Sequence, residues 1–198
     1  MKLVFATGNK HKIEEFAAIL QQYLPNIEIV SMKDVGIYDD IVEDGKTFEE
    51  NAIIKAKAVA RYGYIGVADD SGLSVDALDG APGIYSARYA GEHGNDKKNN
   101  LKLLDDMKNV ENRDGAFVCT IACVFPEEMH KDDFCVRGEC RGKILHSERG
   151  EGGFGYDPLF FVEKYQKTFG ELEPNEKNKI SHRAVATKKF AEEFCKRS

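Results

Sequence analysis

The chain has 198 residues, 42% hydrophobic and 31% charged, with a formal net charge of −6. That is enough sequence for one sizeable core, and an acidic balance argues against wrapping a nucleic-acid backbone, which needs clustered basic side chains. No apolar run approaches the ~20 residues that span a bilayer, and the opening run Met1–Ala6 is too short for a signal core, so a cytoplasmic location is expected.

Lys2–Ala6 reads as a central strand, and Thr7-Gly8-Asn9 turns the chain. Asn9 is a good N-cap, and Ile13, Phe16, Ala17, Leu20 and Leu24 recur at helical spacing, with Pro25-Asn26 as the stop. Ile27–Val30 reads as a second strand, so the chain opens β-α-β. Residues 34–46 form a polar, acidic loop. Thr47 with Glu50 matches a capping box before a helix through Ala52, Ile53, Ala56, Val59 and Ala60. Ile65–Ala68 then reads as a buried strand ending in an acidic turn at Asp69-Asp70-Ser71-Gly72. A short helix or irregular loop covers residues 81–89, and a helix capped near Asn95 or Asp96 carries Leu101, Leu104 and Met107. Ala116–Phe125 is strongly β. Phe134–Cys140 and Lys143–His146 read as two further strands, and the segment Ala116–His146 is a candidate lobe of its own. Four glycines between positions 150 and 155 exclude regular structure there. Leu159–Val162 is the last expected strand, and Ser181 caps a C-terminal helix carrying Val185, Ala186, Phe190 and Phe194.

With no repeat or linker composition, residues 1–198 read as a single α/β domain: a central mixed sheet with helices on its faces. The five cysteines, Cys119, Cys123, Cys135, Cys140 and Cys195, lack the paired spacing of a zinc site and read as buried reduced thiols.

Three groups carry chemistry. At Thr7-Gly8-Asn9-Lys10-His11-Lys12 a hydroxyl, an amide and two lysines sit at a helix start. This is neither a Walker A loop nor a dinucleotide fingerprint, but a helix N-terminus attracts anions. Lysines in a first turn are otherwise unfavourable, and a bound polyphosphate would offset that cost; the alternative is an ordinary cap with a solvated first turn. Asp69, Asp70 and Glu43 are oxygen ligands suited to Mg²⁺ bridging phosphate oxygens; the alternative is an Asp-rich turn. Phe154, Tyr156 and Asp157 in the glycine-rich loop offer an aromatic face to a planar base, or simply anchor the loop in the core. Lys177 and Ser181-His182-Arg183 add donors that suit a keto oxygen better than an exocyclic amine, or serve as a helix cap with surface charges.

Together these motifs resemble the inosine triphosphate pyrophosphatase family. The resemblance rests on Thr7-Gly8-Asn9-x-x-Lys12, Glu43 before Thr47-Phe48-x-Glu50-Asn51-Ala52, and Ala68-Asp69-Asp70-Ser71-Gly72-Leu73. It continues through Gly80-Ala81-Pro82-Gly83-x-Tyr85-Ser86-Ala87-Arg88, Gly152-Gly153-Phe154-Gly155-Tyr156-Asp157-Pro158 and Ser181-His182-Arg183. It implies a central mixed twisted sheet with flanking helices, in two lobes with the active site in the cleft between them. It also implies a homodimer acting on a small-molecule nucleoside triphosphate, with no nucleic-acid polymer and no membrane as partner. The implied reaction is Mg²⁺-dependent hydrolysis of inosine, deoxyinosine and xanthosine triphosphates to the monophosphate and pyrophosphate, cleansing the nucleotide pool.

By position, the resemblance makes Thr7, Gly8, Asn9, Lys10, His11 and Lys12 the phosphate grip. Glu43 and Asp70 become metal ligands, Asp70 the catalytic base as well, and Ser71 a substrate contact. Phe154, Gly155, Tyr156, Asp157, Lys177, His182 and Arg183 form the base-side pocket. The competing expectations are a hydrolase of pyrimidine or modified nucleotides and a non-enzymatic nucleotide sensor.

Overall fold

The computed structural model describes residues 1–197. A seven-stranded sheet of order β2-β1-β3-β4-β5-β6-β7 is built from β1 (Lys2–Phe5), β2 (Glu28–Ser31), β3 (Ile65–Val75), β4 (Asp114–Val124), β5 (Phe134–Ile144), β6 (Phe160–Val162) and β7 (Lys167–Thr168). The sheet is mixed, as the sequence predicts: β1 runs parallel to both β2 and β3, while β6 runs antiparallel to β5 and β7. The helices are α1 (Lys10–Leu20), α2 (Phe48–Ala60), α3 (Asp96–Asp106), α4 (Pro174–Ile180) and α5 (His182–Arg197). No helix among the described residues is long and apolar enough to cross a membrane.

The chain divides into two compact units. Unit 1 comprises residues 1–70, 119–138 and 183–197, and unit 2 comprises 71–118 and 139–182. Unit 1 buries both faces of its strands. On one face Phe16 of α1 and Phe190 and Phe194 of α5 cover Leu3, Phe5, Ile65, Val67, Cys119 and Ile121. Phe16 meets Phe190 edge-on, with ring centroids 5.5 Å apart. On the other face Ala52, Ala56 and Val59 of α2 cover Val4, Ala6, Ala68 and Ala122. Each fully buried phenylalanine contributes about 1.5–3 kcal/mol. Unit 2 has its own core of Leu73, Val75, Leu103, Met107, Phe117, Phe160 and Phe169.

Several expectations are corrected. The acidic stretch is no turn, because β3 continues as one strand of 11 residues from Ile65 to Val75. Turn-forming side chains yield here to tertiary pairing, since β3 lies between β1 and β4 in the sheet and each carboxylate meets cations. Phe134–Ile144 is likewise one strand rather than two. Its Gly142 marks close approach, since a Cβ there would lie 2.6 Å from the Phe161 carbonyl oxygen and 2.7 Å from the Phe160 ring. Ala116–His146 is not a separate lobe: β4 enters unit 1 after Val118, and β5 leaves it after Gly138. α1 ends at Leu20 rather than running to Pro25, with the Leu24 N–H closing the last turn on the Leu20 carbonyl at 2.8 Å. α4 and β7 were not anticipated.

Candidate active site

Unit 1 holds the expected phosphate and metal residues. The Thr7 hydroxyl accepts from the Asn9 N–H at 3.1 Å, and the Asn9 side chain caps α1 by accepting from the Lys12 N–H at 3.3 Å. Gly8, Asn9, Lys10 and His11 are exposed, while Lys12 is half-buried. Lys12 is drawn inward because its ammonium lies 3.1 Å from Asp69 Oδ2. A carboxylate of β3 therefore offsets part of the cost of lysine in this first turn.

Side chains alternate along a strand, so Asp69 and Asp70 face opposite sides of β3. Asp69, 1% exposed, lies on the α1/α5 side, where it accepts from Lys12 and, at 3.3 Å, from Arg183 Nη2. Arg183, also 1% exposed, donates through Nη1 to Glu15. Burial alone would raise the Asp69 carboxyl, but the charges of Lys12, Arg183 and Lys55 outweigh it and hold this group well below the usual carboxylate range. Burial likewise disfavours the Arg183 charge, and Asp69 and Glu15 more than restore it.

Asp70 faces α2. Its Oδ2 accepts from Asn51 Nδ2 at 3.2 Å, and its Oδ1 lies 3.5 Å from Lys55 Nζ. Asn51 Oδ1 accepts in turn from the Gly45 N–H at 2.9 Å, tying the acidic loop to α2. Lys55 Nζ also donates to Glu43 Oε2 at 2.7 Å. Burial raises the Asp70 carboxyl above its ordinary value against the opposing pull of Lys55 and Lys12. Lys55 is desolvated too, yet Asp70, Asp69 and Glu43 hold its ammonium charged. Sequence reasoning gave Asn51 and Lys55 no role. Their signal is a polar pair four residues apart, both buried on the alanine-rich face of α2. The capping box is half as expected: Thr47 Oγ1 accepts from the Glu50 N–H at 3.1 Å, but Glu50 accepts from the N–H of Lys46 rather than of Thr47.

Among the described residues no group of three or more His, Cys, Asp or Glu side chains is placed to hold a metal alone. Glu43 and Asp70 nevertheless converge on one cationic atom, Lys55 Nζ, at 2.7 and 3.5 Å. Two carboxylates on a shared cation position fit Mg²⁺, which takes one or two carboxylates and completes its shell with water and substrate phosphate.

Unit 2 holds the expected base-side residues except Arg183. In the glycine-rich loop, Asp157 Oδ2 accepts from the Phe154 N–H at 2.9 Å and from Lys177 Nζ at 2.7 Å. Lys177, 4% exposed, sits 5.0 Å from the centre of the Phe154 ring. Tyr156 donates its hydroxyl to the Ser86 carbonyl at 2.8 Å. His182 stacks on Phe117 at 4.8 Å between centroids. Ser71 is half-buried at the next position of β3. Beside it, Gly72 leaves room for Ser86, whose hydroxyl accepts from the Leu73 N–H at 2.9 Å and donates to the Gly83 carbonyl at 2.6 Å. This explains two of the sequence blocks together.

The Ham1 family model matches residues 3–193. A dITP/XTP pyrophosphatase of Clostridium perfringens is 48% identical, with 96% of this chain and 95% of that protein aligned. One of Geobacter sulfurreducens is 50% identical, over 93% and 92%. Among solved structures, the Ham1 protein of Staphylococcus aureus superimposes with a TM-score of 0.88 at 39% identity, covering 98% of each chain. A nucleoside-triphosphatase/dITP/XTP pyrophosphatase of Mycobacterium abscessus gives a TM-score of 0.77 at 40% identity, covering 96% of this chain and 98% of that one. With the family model spanning residues 3–193 and relatives near half identity over almost the whole chain, the chain belongs to the Ham1 family.

Proposed function

We propose that this protein hydrolyses non-canonical purine nucleoside triphosphates, namely inosine, deoxyinosine and xanthosine triphosphates, to the monophosphate and pyrophosphate with Mg²⁺. The observation that carries this is the convergence of Glu43 and Asp70 on one cation position, in a unit whose first helix opens on Lys10 and Lys12. Relatives near half identity named dITP/XTP pyrophosphatase support the substrate class.

Glu43 and Asp70 would hold the metal, which supplies charge neutralisation at the phosphate oxygens when bound. Thr7 to Lys12 and Lys55 grip the triphosphate and stabilise the leaving pyrophosphate electrostatically. Asp70, its carboxyl raised by burial, orients the attacking water and accepts its proton. Ser71 contacts the substrate. Phe154, Gly155, Tyr156, Asp157, Lys177 and His182 receive the base, with Arg183 favouring a 6-keto group. An adenine amine would face donors there, and leaving buried polar groups unpaired discriminates strongly. One functional domain over residues 1–198 belongs to the same proposal, supported by a family match that runs through both units. A homodimer, on the family resemblance alone, and a cytoplasmic location belong to the same proposal.

The test is incubation with inosine, xanthosine, adenosine and pyrimidine triphosphates, with Mg²⁺ or with a chelator, followed by product identification. Monophosphate and pyrophosphate from the first two, lost on chelation, are expected. Diphosphate and phosphate would overturn the reaction, and no turnover of any substrate would favour a sensor.

A further inference from the structure

The N-terminal half of α3 buries polar side chains where a surface helix ordinarily buries apolar ones. Asn99 and Asn100 are 2% and 4% exposed. Both amides and the neighbouring Asp96 are spent on backbone groups of other segments of unit 2. Asp96 Oδ2 accepts from the Gly155 N–H at 2.8 Å. One helical turn later, Asn100 Nδ2 donates to the Gly155 carbonyl at 3.2 Å and to Glu148 Oε1 at 2.8 Å. Both backbone groups of a single residue are thus held by two side chains of one helix face, the i, i+4 relation that brings them side by side. Gly155 has φ +62°, with open space where a Cβ would lie, so its backbone rather than a steric limit needs holding.

Asn99 extends the same device. It accepts from the Ala90 N–H at 2.8 Å and donates to the Ala87 carbonyl at 3.3 Å. The segment it fixes directly follows Ser86, whose carbonyl receives the Tyr156 hydroxyl at 2.8 Å. Tyr156 is therefore tethered at its backbone neighbour and at its ring tip, both through α3.

The arrangement carries a cost. With two acceptors dictating which way the Asn100 amide faces, its Oδ1 is buried with no hydrogen-bond partner. A buried unpaired acceptor destabilises a fold, so Asn100 is poorly placed for stability and well placed to hold Gly155.

We propose that Asp96 and Asn100 are positioning residues for substrate selectivity: by clamping the Gly155 peptide from both sides they set Phe154 and Tyr156 for the purine base. This rests on the reading that the loop from Phe154 to Asp157 receives the base. Neither residue touches the phosphate or metal groups, which lie in unit 1.

The test compares Asp96→Ala, Asn100→Ala and the conservative Asp96→Asn, whose side-chain oxygen still accepts from Gly155. For each, kcat and KM are measured with inosine and guanosine triphosphates, together with the inhibition constant of inorganic tripolyphosphate, a probe with no base. The expected result for both alanine variants is a roughly tenfold rise in KM for inosine triphosphate, the scale of one lost hydrogen bond. With it, kcat stays within about twofold, discrimination against guanosine triphosphate narrows, and tripolyphosphate inhibition is unchanged. Asp96→Asn is expected to restore KM. Native KM and discrimination in folded Asp96→Ala, an exposed position that tolerates truncation, would overturn the proposal. So would a parallel weakening of tripolyphosphate inhibition, which marks general loosening. Phe154→Ala separates the two layers. If it leaves KM unchanged, the base-loop reading fails; if it raises KM while the clamp variants stay native, only the clamp fails.

Discussion

Asp69 and Asp70 are joined by one peptide bond yet belong to opposite faces of β3. Asp69 is shared by Lys12 and Arg183 on the α1/α5 side, and Asp70 is shared by Asn51 and Lys55 of α2. The surroundings drive the two carboxyls in opposite directions, Asp69 downward and Asp70 upward.

Neutralising the pair one residue at a time therefore separates stability from turnover. Asp69→Asn leaves Lys12 and Arg183 inadequately compensated and should cost about 3–5 kcal/mol, the scale of breaking a buried ion pair. The Asp70 carboxyl, raised in the folded state, contributes stability below its unfolded value and loses it as pH rises through the folded value. Asp70→Asn removes that loss, so at neutral pH the variant should be at least as stable as the native protein. Its turnover should fall by about 10²–10⁴-fold, the range for removal of a general base. Urea midpoints beside kcat check both arms; equal destabilisation would refute the asymmetry.

Lys55→Met takes the cation from between Glu43 and Asp70. In metal-free buffer a loss of about 3 kcal/mol is expected, the low end for an orphaned buried charge. Mg²⁺ should then raise the melting temperature more in the variant than in the native protein, because one cation replaces the other. Equal Mg²⁺ responses would disprove a shared position.

Gly8 offers a test of phosphate binding free of structural damage. A Cβ added there would meet nothing within 4 Å, so Gly8→Ala should change stability by no more than about 0.5 kcal/mol, as at ordinary surface sites. Should the triphosphate approach this backbone, KM for substrate and the inhibition constant of tripolyphosphate will rise together. Native values of both would remove Gly8 from the grip.

Burial, reinforced by Asp69, pushes the Cys119 thiol up to about 12 from an ordinary 9.0. The unfolded thiol ionises first as pH climbs, so the contribution of Cys119 to stability is intact below pH 9 and is lost towards pH 12. Cys119→Ala should flatten that alkaline decline in urea midpoints measured over the same interval. A thiol reagent at pH 8 should modify exposed Cys195 while sparing buried Cys119 and Cys123 until denaturant is added; mass spectrometry of the labelled peptides reads this directly.

Much of the frame was legible in the sequence because it follows from local chemistry. The Asn9 and Thr47 caps, the apolar spacing of α1 and α2, and the β-rich run of β4 each answer to rules that act within a dozen residues. The acidic stretch misled because Asp-Asp-Ser-Gly has the composition of a turn, and only pairing to strands distant in sequence makes it extended. The same holds for Gly142, whose vacancy serves β6 rather than a bend. Arg183 stands out in the sequence as a donor at a helix start, while its partnership with Glu15 joins positions 168 residues apart, beyond any local signal. Asn51 and Lys55 stood in the open, as polar residues repeating on a buried helical face, and called for a carboxylate partner that spacing alone does not name.

The alternation along β3 makes the phase of this strand a chemical quantity as well as an architectural one. Deleting one of the uncharged residues between Ile65 and Asp69, or inserting one, would exchange the two carboxylates between α1/α5 and α2 without altering the charge. Length variation in this fold should therefore collect in the connections, such as Gln21–Ile27, and be excluded from the four positions that precede the pair.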